Sequence, residues 1–322
     1  MIAQGIEPYP EDPRRRERWI LERRQGIVRD VLDPRRAAGW VAESEPNLLG
    51  LVERGLTVFL TNRECPWRCL MCDLWRHTRP DRGARGDVPF QIETTFIEAG
   101  EAYHSARWVK LYNAGSFFDP GAIPVVDRGV IAEQCRRFER VIVENHPALT
   151  NSCIRPFLEA LRPARLEIAL GLETAHPGVL ARLNKRIDLD GFRRAADFLR
   201  EQAVDLRVFI LVKPPFLEEA EALDWACRSL DFAFDCGAAV VSLIPTRFGN
   251  GSLEALAAAG QFSPPRFETL EAAFRYGLTL GLGRVFVDVW ELEKSVSNPE
   301  AVLKGKPRLQ AMNLSQSFVD PG

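Results

Sequence analysis

Residues 56–73 have the sequence LTVFLTNRECPWRCLMCD, in which an apolar run leads directly into a cysteine-rich loop. The run over residues 56–61 predicts a buried β-strand. Cys65, Cys69 and Cys72 follow it with the spacing C-x3-C-x2-C. Three thiolates so close together, with no fourth cysteine nearby, suit an iron–sulfur cluster in which one iron has no protein ligand. A substrate or a cofactor could bind that open iron, so the sequence predicts a catalytic metal centre at the end of this strand.

Two other interpretations of these cysteines stay open at this point. A Cys3His zinc site could recruit His77, five residues after Cys72, and zinc accepts that set of ligands. The chain would then be a zinc-binding module without catalysis. The three thiols could also be buried structural groups. The other cysteines have no metal-binding spacing and are predicted to be structural: Cys135, Cys153, Cys227 and Cys236.

The composition of the 322 residues, 46% hydrophobic and 27% charged, allows one large core with a small appendage. A net charge of −2 gives no overall field that attracts nucleic acid or an anionic membrane. Seven cysteines, an odd number spread through apolar segments, argue against a disulfide framework. The polar N-terminus and the lack of an apolar run of about 18 residues predict no signal peptide, no membrane span and a cytoplasmic location.

From residue 56 onward, short apolar runs alternate with helical patterns, which is typical of βαβ units around a parallel sheet. The predicted fold class is therefore α/β. The predicted strands are 56–61, 108–112, 140–144, 165–170, 205–212 and 238–244, and the predicted helices between them are 92–105, 124–138, 153–161, 189–202 and 218–235. Residues 1–52 carry no strand signal and are predicted to be an extension with a helix over 13–30, residues 53–282 the main domain, and residues 283–322 a last strand with a polar tail.

Five further motifs follow the strands in chain order: Tyr112-Asn113-Ala114-Gly115-Ser116-Phe117-Phe118-Asp119-Pro120, Val143-Glu144, Gly171-Leu172-Glu173-Thr174, Leu183-Asn184-Lys185-Arg186 and Lys213-Pro214-Pro215-Phe216. Because the carboxyl ends of parallel strands meet at one edge of a sheet, these motifs are expected near the cysteine loop. With that loop, they make the sequence resemble the radical SAM superfamily. The likeness is to the branch that holds the elongator catalytic subunit and the radical SAM lyase of archaeosine synthesis, and it covers residues 56 to about 245.

The resemblance implies a partial (βα)6 barrel, TIM-like and open along one side, with an N-terminal helical extension and a short C-terminal addition. It also implies that Cys65, Cys69 and Cys72 bind a 4Fe-4S cluster whose open iron is chelated by S-adenosylmethionine (SAM). Two departures stand out. The cluster loop lacks the glycine-rich pattern of the archaeosine lyase, and nothing of the size of the elongator acetyltransferase domain follows residue 290.

Several motif residues are predicted, by the same resemblance, to bind SAM. Asn113, Gly115 and Ser116 lie where the family's loop for the SAM amino group sits, and a glycine there lets backbone carbonyls approach an ammonium. Glu144 ends the third predicted strand and could accept hydrogen bonds from the ribose or the amine. Met71 precedes the third cysteine, where the family usually has an apolar or aromatic residue.

The fourth predicted strand is followed by Glu173, which is predicted to point into the barrel mouth, and by two cations. Lys185 and Arg186 are predicted to bind the SAM carboxylate, with Arg186 preferred because a guanidinium can bind it in a bidentate manner. Predicted contacts to the substrate come from His146, Lys213 and Arg247.

The resemblance therefore implies an enzyme that reductively cleaves SAM and uses the 5′-deoxyadenosyl radical to abstract hydrogen from a small-molecule substrate. A flavodoxin- or ferredoxin-like protein is expected as the external electron donor. Two alternative activities stay open at this stage: modification of tRNA, which the family branch favours, and transfer of an aminocarboxypropyl group from SAM.

Overall fold

A computed structural model describes residues 7–319 of the chain. Eight strands form a single sheet and lie in it in the same order as in the sequence. The first pairs antiparallel with the second, and every later pair is parallel. The strands are β1 Gly39–Pro46, β2 Val52–Phe59, β3 Trp108–Tyr112, β4 Arg140–Asn145, β5 Arg165–Glu173, β6 Asp205–Val212, β7 Val240–Pro245 and β8 Arg284–Val287.

Helices cover the convex face of this sheet and its edges. They are α1 Pro13–Arg23, α2 Asp87–Ala99, α3 Glu101–Ser105, α4 Val125–Cys135, α5 Arg155–Leu161, α6 Pro177–Arg182, α7 Leu189–Glu201, α8 Glu219–Asp235, α9 Ser252–Ala258, α10 Phe267–Leu280, α11 Leu292–Ser295 and α12 Glu300–Ser315. Side-chain caps mark the starts of several of them. Asp12 and Asp188 accept backbone hydrogen bonds at the starts of α1 and α7, and Glu218 with Glu221 forms a capping box at α8.

The predicted α/β class and the half-barrel are confirmed, and all six predicted strands are present. The expectation of no strand before residue 52 is wrong, because β1 lies there. Its inward side chains include Glu43 and Glu45, so this strand lacks the apolar pattern on which the prediction relied. The predicted helix over 13–30 ends at Arg23, the one over 92–105 breaks at Gly100, and the polar tail contains α12. The domain limits at residues 52 and 282 stay a prediction.

The sheet is curled. Side chains of strands that are not neighbours in the sheet meet across its concave face. Glu45 of β1 accepts hydrogen bonds from Lys110 of β3 at 2.5 Å and from Arg207 of β6 at 2.8 Å. Arg207 also binds Glu167 of β5 at 2.6 Å. We call this group, with Arg140 and Arg284 beside Glu167, the floor of the lumen. The opposite faces of the strands pack their apolar side chains against the helices, which forms the main core.

The chain before β1 packs over the loops at the carboxyl ends of the strands. Trp19 and Ile20 of α1 form a small apolar cluster with Leu70 of the cysteine loop and with α9. The contact is close at Gly251, where a Cβ atom would lie 2.1 Å from the carbonyl oxygen of Arg23. We call residues 7–38 the N-terminal arm. Among the residues described, no helix has the length and apolar character needed to cross a membrane.

Candidate functional site

The cysteine loop follows β2 and is fixed by two neighbouring segments. The backbone N–H of Leu70 donates to the carbonyl of Leu183 at 2.9 Å. The Asn184 amide donates to the carbonyl of Arg68 at 2.7 Å, and the Asn250 amide donates to the carbonyl of Leu70 at 2.8 Å. These contacts come from the segments after β5 and β7, so the sheet itself sets the position of the loop.

The three thiols of this loop are brought together and are partly buried. The charge of each one would act on another: Cys72 on Cys65, Cys65 on Cys69, and Cys69 on Cys72. Burial raises the pKa of all three thiols to about 12. They are therefore protonated at neutral pH unless a bound metal displaces the protons, as iron and zinc do in thiolate sites.

The donor set is three thiols on one short loop, which suits an iron–sulfur cluster with one open iron. Within residues 7–319, no three His, Cys, Asp or Glu side chains lie close enough to hold one ion. A four-iron cluster spaces its cysteine sulfurs farther apart than one tetrahedral ion does. His77, the fourth ligand of the zinc alternative, is half exposed and pairs with Asp30, with 2.6 Å between Nδ1 and Oδ2. His77 is thus engaged by Asp30, and the Cys3His zinc site stays an alternative that metal content tests.

Asn113 and Glu144 lie beside the first cysteine. A Cβ atom on Gly115 would lie 3.4 Å from the Cβ of Cys65 and 3.9 Å from Nδ2 of Asn113. Asn113 is fully buried, and across the described residues neither its Oδ1 nor its Nδ2 has a hydrogen-bond partner. Oε1 of Glu144 accepts from the backbone N–H groups of Asn113 at 2.8 Å and Ala114 at 3.2 Å. A buried amide without partners is what a polar ligand at this place would satisfy.

Burial raises the pKa of Glu144 to about 7, against the lowering effect of those two backbone donors. Its carboxyl group is therefore close to half protonated at neutral pH. Ser116, the last predicted residue of this segment, is buried, and its carbonyl accepts from the backbone N–H of Asp119 at 3.1 Å. In the structure its backbone shapes the turn after β3.

Lys185 and Arg186, the two predicted cations, point in different directions. Lys185 is buried and pairs with Glu173, and Gly171 leaves the space for this contact because a Cβ there would lie 2.3 Å from Nζ. Burial alone would lower the pKa of Lys185, but Glu173 and the cysteines outweigh it and the net shift is upward. Arg186 lies at the surface, with Nη2 at 2.6 Å from Oε2 of Glu17 on α1. The structure brings only Lys185 to the cysteines.

His146 supports the cysteine loop through an aromatic stack. Its ring lies parallel to that of Trp67, with 3.7 Å between centroids. Nδ1 accepts from the backbone N–H of Ala148 at 3.1 Å, so Nε2 carries the proton and donates to the carbonyl of Lys185 at 3.0 Å. Burial and the Lys185 charge lower the pKa of His146 to about 3, so its ring is neutral. Trp67 was not singled out in the sequence, since its partner lies 79 residues away.

The remaining predicted site residues are Lys213, Arg247 and Met71, and each contacts a different part of the fold. Nζ of Lys213 donates to Oγ of Ser263 at 2.5 Å and to its carbonyl at 2.9 Å, which ties β6 to the loop before α10. Arg247 lies between Asp73 and Asp288, at 3.4 Å and 4.0 Å from their carboxylates. Met71 packs between two small apolar clusters under the loop. The assigned roles of all predicted site residues stay predictions.

The N-terminal arm adds residues that the sequence analysis missed. Glu64, just before the first cysteine, accepts from Arg24 at 2.7 Å and from Arg29 at 2.5 Å, and Arg68 lies at 3.4 Å. The guanidinium carbons of Arg24 and Arg29 lie 4.8 Å and 5.4 Å from the Trp75 ring centroid. No sequence signal links Arg24 and Arg29 to Glu64, which lies 40 and 35 residues later.

Comparison with known proteins agrees with this picture. No protein-family model matches the chain. Archaeosine synthase subunit beta of Methanosarcina acetivorans is 28% identical over 226 residues, which are 67% of this chain and 64% of that protein. The protein of the same name from Thermococcus kodakarensis is 27% identical over 127 residues, 38% of this chain and 39% of that protein. The chain thus matches less than two thirds of the length of either relative.

A solved structure shares the fold. The archaeal Elp3 of Methanocaldococcus infernus, with residues 1–46 deleted, superimposes with a TM-score of 0.50 and 13% identity, over 62% of this chain and 52% of that one. At this identity the match shows the fold alone, while the archaeosine proteins supply the sequence likeness. The resemblance of this chain to the radical SAM superfamily, in the branch of Elp3 and archaeosine synthase subunit beta, is therefore confirmed.

Proposed function

We propose that this protein is a radical SAM enzyme in which Cys65, Cys69 and Cys72 hold a 4Fe-4S cluster. The observation that carries the proposal is the convergence of three partly buried thiols at the carboxyl-terminal edge of a parallel half-barrel. With an electron from an external flavodoxin- or ferredoxin-like donor, such a cluster splits SAM to give the 5′-deoxyadenosyl radical, which abstracts hydrogen from the substrate. We also propose that the protein is located in the cytoplasm, which is reducing.

The protein's own part is to bind and orient SAM and to keep water away. The side-chain amide of Asn113 offers a buried donor and a buried acceptor, and neither has a hydrogen-bond partner within residues 7–319. In the same range, Glu144 accepts backbone hydrogen bonds through Oε1 alone, which leaves Oε2 for a ligand. The two side chains suit the amine and the ribose of SAM. We assign the SAM carboxylate to Lys185 rather than to Arg186, because Lys185 is the buried one of the two.

We place the substrate in the lumen between the floor and the cysteine loop. Tyr112 and Phe209 face each other across it, with ring centroids 6.3 Å apart. Phe59, on the same side of β2 as the lumen-facing Thr57, is 39% exposed despite its place within the sheet. Arg247 and Asp288 follow β7 and β8 and lie 4.0 Å apart. Aromatic side chains together with specific polar groups are typical of sites for small molecules.

A second candidate substrate is tRNA, because two relatives are named archaeosine synthase subunit beta. Recognition of tRNA needs a basic surface beside the site, where phosphates can bind. The groups around Arg247 are instead acidic: Asp73 and Asp288, with Glu43 acting on Asp288 from within the lumen. This balance favours the small molecule.

Product analysis tests the reaction. The protein is reconstituted with iron and sulfide without oxygen, reduced with dithionite and incubated with SAM, and the nucleosides are separated by chromatography. We expect 5′-deoxyadenosine. Formation of 5′-methylthioadenosine would instead indicate aminocarboxypropyl transfer, and a loaded, reduced protein that yields neither nucleoside would contradict the proposal. Binding of labelled tRNA at 50 mM and 200 mM salt then separates the two substrate classes, since phosphate-dependent binding weakens steeply over this range.

A further inference from the structure

We propose that Arg24 of the N-terminal arm tunes the redox potential of the metal site, by placing a fixed positive charge and an uncommitted Nε–H group against the cysteine loop. The inference rests on the proposed function, since it requires a cluster at Cys65, Cys69 and Cys72. It gives the arm a role in electron transfer in addition to covering the loop.

Arg24 is held rigidly at this place. It follows α1, and its side chain is only 7% exposed. Nη1 donates to Oε1 of Glu64 at 2.7 Å, and the guanidinium carbon lies 4.8 Å from the Trp75 ring centroid. Two partners of different kinds therefore fix the plane of the guanidinium, and a buried Arg held in this way cannot turn toward solvent.

One donor of this guanidinium is left over. Nε is buried, and across residues 7–319 it has no hydrogen-bond partner. A buried donor without an acceptor is unfavourable. Among residues 7–319 the same feature occurs at Nε of six other arginines, so the position of Arg24 against the cysteine loop is what distinguishes it. The two partners of Arg24 flank the cysteines in the sequence, since Glu64 precedes Cys65 and Trp75 follows Cys72 by three residues, and the Arg24 charge acts on the thiols of Cys69 and Cys72. A sulfur acceptor at the metal site would satisfy this N–H group.

The charge balance around Arg24 favours electron uptake. Arg24, Arg29 and Arg68 share the carboxylate of Glu64, so Arg24 keeps part of its positive charge unbalanced, while Asp73 and Glu173 act on Cys72 and Cys69 with the opposite sign. When one electron enters from the external donor, the site gains one negative charge and no proton needs to move. A nearby cation stabilises the reduced state more than the oxidised one, and both net charge and hydrogen bonds to sulfur set such potentials. Arg24 therefore makes reduction easier.

The test compares Arg24 with Arg29. Both bind Glu64 and face Trp75, but the Arg29 side chain is 26% exposed. The reconstituted full chain is titrated potentiometrically, with the reduced cluster quantified by electron paramagnetic resonance. In Arg24→Gln we expect the ratio of reduced to oxidised cluster at a fixed potential to fall about tenfold, which is 59 mV for one electron. In Arg29→Gln we expect a change of less than about twofold, because solvent screens its charge.

Arg24→Lys separates the two contributions, because it keeps the charge and removes the Nε–H group. We expect its ratio of reduced to oxidised cluster, at the same fixed potential, to lie between those of the wild type and Arg24→Gln. A fully loaded Arg24→Gln with the wild-type potential would overturn the proposal. If Arg24→Gln does not take up iron, Arg24→Lys decides, and a wild-type potential in that variant would also overturn it. A wild-type chain that binds no cluster would instead contradict the proposed function itself.

Discussion

The two ends of the lumen bury their polar groups in different ways. At the floor, groups of opposite charge meet: Glu45 binds Lys110 and Arg207, and Arg207 also binds Glu167. Burial would raise the pKa of Glu45, but the two cations outweigh it and hold that pKa well below its usual range. At the cysteine end, the Asn113 amide and Nε of Arg24 have no partner among the residues described.

This difference indicates which buried groups serve structure and which await a ligand. At the floor, atoms of Arg140, Glu167 and Arg284 also lack a hydrogen-bond partner among residues 7–319, but Glu167 lies 3.6–3.7 Å from both cations, so their charges are paired. The Asn113 amide has neither a hydrogen bond nor a charged partner in the same range, and a buried amide of this kind is what a ligand would satisfy. The floor therefore stabilises the curl of the sheet, and the cysteine end is the place for the metal and SAM. Changes at the floor should affect stability, and changes at the cysteine end should affect binding.

The largest effect is expected from Cys69→Ala, the change that breaks the cysteine end. We expect nearly complete loss of iron after anaerobic reconstitution, because two thiolates do not retain the cluster. Cys153→Ala is the matched control and should keep the wild-type iron content, because Cys153 donates only to the carbonyl of Leu149, at 3.6 Å. Iron and sulfide assays measure both variants. Wild-type iron in Cys69→Ala would refute the assignment of this ligand.

A large loss of stability is expected at the floor. Arg207→Met leaves Glu45 and Glu167 without their shared cation in a buried place, which we expect to lower the free energy of unfolding by about 3–5 kcal/mol. Arg165→Met is the control, since its pair with Asp205 is exposed and contributes about 1 kcal/mol or less. Urea unfolding of the metal-free chains measures both. Equal stability of the two variants would show that the floor is not a structural network.

A smaller, pH-dependent effect is expected at Glu144. Burial raises its pKa from 4.5 to about 7, so the folded chain binds the proton more tightly than the unfolded chain. This group therefore makes the folded metal-free chain less stable as pH rises from about 4.5 to about 7, by at most about 3 kcal/mol. Glu144→Gln keeps the acceptor for Asn113 and Ala114 and should remove this dependence. Parallel curves for both chains between pH 5 and pH 8 would contradict the prediction.

The sequence was informative where a strand has an apolar pattern. β3 and β6 begin and end at the predicted residues, since helices cover their outer faces. β1 was missed because Glu43 and Glu45 point into the lumen and find cations on other strands. No local pattern reports such partners, because they come from strands more than 60 residues away.

The cysteines and the strand-end motifs were predictable, but the direction of single side chains was not. Lys185 and Arg186 are adjacent, and the sequence favoured Arg186 for its chemistry. Asn184 and Arg186 both adopt positive φ. With this backbone, the Lys185 side chain points inward to Glu173, and the Arg186 side chain lies at the surface and pairs with Glu17 of α1. Arg24 was missed for a related reason: only the docking of the arm brings it to the loop.

The most direct test of the central claim is the metal content of the wild-type chain, read together with its response to SAM. After anaerobic reconstitution we expect about four irons and four sulfides per chain, and a resonance spectrum of the reduced protein that changes when SAM is added, because one iron is open to it. A chain that retains one zinc ion and no sulfide would contradict the proposed cluster. A cluster whose spectrum does not change when SAM is added would contradict the proposed binding of SAM.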